Sequence, residues 1–169
     1  MPCTCGRQAL SVGAAVMSRT YKTPPGHVPD DCRMRFDRKI VVVLRDDLAP
    51  WQCLNATAFL SSAITSAFPQ LIGEDYLDAD DTRYLPMLGQ PVLVMQGDAA
   101  ALRAAHTRAL ARDAPLAIFT ADLFRTGNDD DNRAAVRAVS RDRLDVVGLA
   151  VHAPRNAVDK IVKGCIMYP

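Results

Sequence analysis

The run Ile40-Val41-Val42-Val43-Leu44 constrains this chain more than any other stretch. Consecutive apolar residues leave no polar face, so a strand made of them must be covered on both sides. Four of the five are β-branched, which stiffens the side chain and favours extended backbone over helix. A strand buried this way needs one layer of structure above it and another below.

The rest of the chain supplies candidates for those layers. After Pro50, the residues Leu60, Ile64, Ala67 and Phe68 share one helical face that ends before Pro69. Tyr76-Leu77 and Tyr84-Leu85 flank the polar turn Asp78-Ala79-Asp80-Asp81 and predict a small hairpin. Pro91 to Met95 reads as a second core strand. Asp98 is suited to cap a helix whose buried stripe is Leu102, Ala105, Ala109 and Leu110. Pro115 to Phe119 gives a third strand, followed by a loop over 120–128 and a helix starting near Asp129, where three acidic residues oppose the positive helix terminus. Leu144 to Val151 is a fourth strand. Pro154 then fits the first turn of a helix that turns Val158, Ile161 and Val162 inward, Gly164 stops it, and Cys165 to Tyr168 forms a last short strand. Strands alternating with helices predict a three-layer α/β/α domain around a mixed, mostly parallel sheet of four to five strands.

Composition narrows the class. The chain has 169 residues, of which 49% are hydrophobic and 23% charged, enough to build one core without staples. Residues 1–37, broken by Pro24, Pro25, Gly26 and Pro29, read as a flexible or peripheral extension, and residues 38–169 as the domain. A formal net charge of +1 argues against extensive nucleic-acid contact. The five cysteines, at 3, 5, 32, 53 and 165, show no disulfide framework and fit a reducing compartment. No apolar run approaches the roughly 20 residues of a membrane helix. The stretch Ala9 to Met17 is too short and broken for a secretory core. A cytoplasmic protein without membrane contact is the expectation.

Three segments resemble type II peptidyl-tRNA hydrolases: the strand and Asp-Leu of Lys39 to Leu48, the Asp122-Leu123-Phe124-Arg125-Thr126 loop, and the strand, Ala-Pro turn, helix and final strand of Val147 to Tyr168. A more continuous likeness is to an uncharacterised family within that superfamily, domain of unknown function 2000. It is carried by Leu54 to Leu60, Gly73-Glu74, Gln90-Pro91-Val92, Thr126 to Asp129 and Asn132 to Val136. The resemblance implies the hydrolase fold over roughly residues 38–169, and a homodimer as its assembly. It also exposes a departure. The hydrolases carry a glycine-lysine segment at the turn into the first helix, where a cation steadies negative charge on the ester under attack or engages phosphate. Here that turn reads Ala49-Pro50-Trp51-Gln52-Cys53-Leu54-Asn55, and no lysine lies between Lys39 and Lys160.

Ligands of open α/β sheets sit at the carboxyl ends of the strands. That rule is expected to gather Asp46, Asp47 and Asn55 after the first strand, Thr120, Asp122 and Thr126 after the third, and His152 after the fourth. Asp122 and Thr126 are the candidate catalytic pair, with Asp122 as a base on water. Asn55, Asp122 and Thr126 are the candidate ligand contacts. The plainer alternative is that all three bond to nearby backbone, Asn55 as a helix cap. Cys53 with His152 suggests thiol chemistry, against the commoner reading of an inert buried cysteine. Cys3, Cys5, His27 and Cys32 lack zinc spacing, and Asp78 to Asp81 lacks the parts of a calcium loop, so no metal and no cofactor are expected. Arg103, Arg108 and Arg112 and Arg133, Arg137 and Arg141 read first as solvent faces of two helices and second as a phosphate-tracking patch.

Three functions stay open. The first is a hydrolase-like protein without the usual lysine that binds a small or nucleotide-containing, tRNA-derived ligand at the strand ends. The second is a hydrolase of aminoacyl- or peptidyl-tRNA-type esters. The third is a non-catalytic dimeric interaction module.

Overall fold

The structure, a computed structural model, describes residues 36–169. Strand β1 (Arg38–Arg45) lies at the centre of a five-stranded sheet, with β4 (Val92–Gly97), β5 (Leu116–Thr120), β6 (Val146–Pro154) and β7 (Ile166–Met167), in the order β5-β6-β1-β4-β7. A separate two-stranded ribbon pairs β2 (Tyr76–Leu77) with β3 (Arg83–Tyr84), which is the expected hairpin. The helices are α1 (Pro50–Ala67), α2 (Ala99–Leu110), α3 (Asp129–Arg137) and α4 (Arg155–Ile161).

Residues 40–44 are buried to within 1% of complete, and the period of two splits them between two cores. Ile40, Val42 and Leu44 face α1 and meet its stripe Cys53, Ala56, Leu60 and Ile64. Val41 and Val43 face α2 and α4 and meet Leu102, Ala105, Ala109, Val158 and Ile161. Helices therefore cover both faces of β1, as its composition requires. The approach of α1 depends on Gly148 of β6: a Cβ there would lie 3.0 Å from Leu60 Cδ1 and 3.4 Å from Leu44 Cδ2.

The mostly parallel sheet does not hold. Of the four pairings, β1 with β4 is parallel, and β5–β6, β6–β1 and β4–β7 are antiparallel. Along the chain, three connections do join strands of like direction: β1 to β4, β4 to β5 and β6 to β7. The exception is β5 to β6. Its helix, α3, buries no residue, so it does not travel back across a sheet face, and the chain re-enters from the end it left. Strands β6 and β7 thus run opposite to β1, β4 and β5, and the sheet order interleaves the two sets.

Local signals hold closely. The Asp98 carboxylate accepts from the Ala101 N–H at 2.7 Å and caps α2. Gly164 has φ +95°, a left-handed value that ends the chain's path beyond α4. Pro154 closes β6 and flanks α4, one position before the expected first turn. The inner face of α2 differs by one residue: Leu110 is 41% exposed, and His106 is buried beside Ala105 and Ala109. Among the described residues no helix is long and apolar enough to cross a membrane. Cys3, Cys5, His27 and Cys32 lie outside the described residues.

Candidate functional site

One end of the sheet collects the carboxyl ends of β1, β4 and β5 and the amino ends of β6 and β7. Helix α1 begins there. Pro50 is its first residue, and Gln52 Oε1 accepts from the Ala49 N–H at 2.9 Å, which satisfies one backbone donor at the entry to the helix. Asn55 lies a full turn into the helix and so is not its cap.

The spacing of four along α1 puts Trp51, Asn55 and Phe59 on a face away from its buried stripe. That face looks onto the segment after β5, which makes a short 3-10 turn over Ala121–Arg125 and then enters α3. Between them lies a cleft of about 300 Å³ lined by Trp51, Asn55, Phe59, Phe119, Leu123, Phe124, Thr126, Gly127, Asn128, Asp129 and Asn132. Its apolar wall is a chain of rings. Trp51 meets Phe124 edge-on at 5.4 Å, Phe124 meets Phe119 at 4.9 Å, and Phe119 meets Phe59 at 5.8 Å. Phe119 is 3% exposed and anchors the chain of rings, whereas Trp51 at 58% and Phe59 at 52% stand open at the mouth. Large aromatic rings left in water on a folded surface mark contact sites more often than single exposed aliphatics do.

The polar lining is mostly neutral. Asn55 is exposed and has no side-chain hydrogen bond among the described residues. Thr126 Oγ1 donates to the Leu123 carbonyl at 3.0 Å and also touches the Asn132 side-chain amide. One hydroxyl proton serves one acceptor at a time, so Thr126 Oγ1 is shared between the Leu123 carbonyl and Asn132 Oδ1, and ties the start of α3 to the turn before it. Asn128 caps α3, its Oδ1 accepting from the Asp131 N–H at 2.9 Å. The one carboxylate in the lining, Asp129, is paired with Arg133.

Asn55 and Thr126 therefore share this cleft, and Asp122 does not line it. Asp122 is the second residue of the 3-10 turn and points into solvent. Asp47 is also outside, bound by Arg45 at 2.6 Å, and Asp46 is exposed. Thr120 ends β5 with its hydroxyl buried and unpartnered. His152 is at the opposite end of the sheet. It pairs with Ile40, near the start of β1, because β6 runs antiparallel, so the expected gathering of His152 with the strand-end residues is corrected. Cys53 and His152 do not meet; the Cys53 thiol is buried with its sulfur 3.9 Å from the Leu48 carbonyl. Part of the arginine set is committed to local partners. Arg108 donates to the Ile161 and Lys163 carbonyls at 2.8 and 2.7 Å, and Arg133 pairs with Asp129 and Asp130. Among the described residues no three His, Cys, Asp or Glu side chains come together as a metal site.

The aromatic wall went unread in the sequence. Its signal was present in the spacing of Trp51, Asn55 and Phe59, the face of α1 that the core stripe leaves free.

A mixed α/β domain with an aromatic, amide-lined cleft at its strand ends is thus the class defined by fold and site. Residues 38–169 match the family described as protein of unknown function (DUF2000), and the chain belongs to that family. A solved structure of a protein of unknown function from Agrobacterium tumefaciens is similar at 45% sequence identity and a TM-score of 0.78, covering 80% of this chain and 100% of that one. No curated protein matches.

Proposed function

We propose that this chain is a ligand-binding protein of type II peptidyl-tRNA hydrolase-like fold, which takes a nucleoside-bearing small molecule in the cleft between α1 and the 120–132 segment and does not hydrolyse esters. The observation that carries this reading is the pair of open rings, Trp51 and Phe59, set four residues to either side of Asn55 on one helix face. A planar base stacks on such rings at a gain of about 1 to 3 kcal/mol, and an asparagine amide matches the adjacent donor and acceptor on a base edge. Asn55 would read the edge, and Thr126 would hold the facing wall in place through Leu123 and Asn132. Asp122 would stand outside the contact.

The absence of turnover follows from the chemistry of the lining. The turn that carries lysine in the hydrolases holds Ala49 and Pro50, and Gln52 is committed to the Ala49 N–H. Asp122 is exposed and does not line the cleft, and Asp129 is paired with Arg133. A water in the cleft would find no free base to take its proton.

Trp51 is the single tryptophan of the chain, so its emission reports this cleft alone. Titration with adenosine, guanosine, cytidine and uridine is expected to quench it saturably for at least one nucleoside, and Asn55→Ala to weaken that binding about tenfold. Emission unchanged by all four, or equal affinity in Asn55→Ala, removes the reading. Release of the acyl group from an aminoacyl-tRNA-type ester by the purified protein would return the hydrolase alternative.

A further inference from the structure

On the sheet face away from α1, a larger cleft of about 560 Å³ opens between α2 and the segment from Arg141 to Val146. We propose that it is a second binding site, for a phosphate group carried on a small organic molecule.

His106 provides the first observation. Its side chain lines the cleft, is 8% exposed, and has no hydrogen-bond partner among the described residues. Its ring nitrogens are not sealed off as those of His152 are, so the unpartnered imidazole is open to whatever enters the cavity. The second observation is the state of the charges on the rim. Arg103 has no carboxylate or carbonyl partner among the described residues, and Arg141 reaches Asp142 at 3.7 Å, beyond hydrogen-bonding range. Asp145, the other carboxylate of the lining, is already held by Arg45 at 2.5 Å. By contrast Arg45, Arg83 and Arg133 are each closely paired with an aspartate. The positive charge left over on this rim is that of Arg103 and Arg141, with Asp142 subtracting part of it.

Two guanidinium forks and an imidazole offer more donors than a carboxylate's two oxygens accept, and suit the oxygens of a phosphate. Phosphate alone would fill a small part of the volume. Leu110, Leu144 and Val146 line the remainder and would face an apolar organic part.

Phenyl phosphate, inorganic phosphate and phenol, titrated separately into the full chain with isotope-labelled histidine, test this by NMR. Phenyl phosphate is expected to shift the His106 ring signals saturably, and to do so more tightly than inorganic phosphate. The buried ring of His152, at the other end of the sheet, serves as internal control. Arg103→Gln and Arg141→Gln, both at exposed positions, are expected to weaken binding about tenfold each. Arg83→Gln on the hairpin is expected to leave it unchanged. The proposal is overturned if the His106 signals do not move, if phenol binds as well as phenyl phosphate, or if all three arginine variants lose affinity equally. Nucleoside binding read at Trp51 is independent of these outcomes, because that cleft lies on the other face of the sheet.

Discussion

Replacing His152 with leucine is expected to stabilise the fold, and more strongly in mild acid. His152 is 3% exposed, and neither ring nitrogen has a hydrogen-bond partner. An orphaned buried donor or acceptor costs about 1 to 3 kcal/mol. Leucine removes both orphans. It gives up the edge-on contact with Phe68, at 4.6 Å between ring centroids, worth about 1 kcal/mol, and fits the ring's space imperfectly at a cost of about 1 to 2 kcal/mol. The balance favours the variant by about 1 to 2 kcal/mol above neutral pH. Burial first, and the Arg38 guanidinium second, hold the folded pKa of His152 below its ordinary 6.5. Arg38 is close, since it donates to the His152 carbonyl at 3.0 Å. With the folded value depressed, the unfolded chain binds a proton that the native state refuses. Stability is therefore full above about 6.5 and falls as pH drops below it, by at most about 1.4 kcal/mol per pH unit for one ring, until the folded pKa is passed. His106 acts with the same sign, its pKa lowered by burial and then by Arg141. Urea melts at pH 7.5, 6.5 and 5.5 should show the wild type losing stability between the last two, and His152→Leu losing roughly half as much. A variant less stable than wild type at pH 7.5, or with an unchanged slope below 6.5, refutes the reasoning.

Two further substitutions probe the scaffold. Asp98→Ala removes the α2 cap and should cost about 1 kcal/mol in the same melts, with an unchanged denaturant slope. Gly148→Val places methyl groups where Leu60 and Leu44 already sit and should cost about 2 to 3 kcal/mol; a smaller loss would mean that α1 moves away easily.

Features written in local chemistry were readable in advance. The run Ile40 to Leu44 declared a doubly covered strand, Asp98 a cap, and Gly164 a stop, because each depends on neighbours within a few residues. Strand direction was not readable. Whether the segment after β5 crosses a sheet face or stays at its end depends on whether α3 finds anything to pack on, and its sequence, Asp129 to Arg137, is so polar that it buries nothing. Reversal of β6 then carried His152 to the far end of the sheet. Exchange of Leu110 for His106 on the inner face of α2 arises the same way, since the two lie four residues apart on one side of the helix and the depth of the core decides between them. For the candidate site, the Asp122 to Thr126 loop was singled out by motif and Asn55 by its place after the first strand, whereas the rings lining the cleft were not, since aromatic residues at helical spacing usually belong to a core.

Adenosine soaked into crystals of the full chain tests the cleft most directly. Planar density stacked on Trp51 or Phe59, with the base edge within hydrogen-bond distance of the Asn55 amide, is the expected result. A nucleoside bound elsewhere on the surface, or the two rings collapsed onto each other with no room between α1 and Thr126, would contradict it.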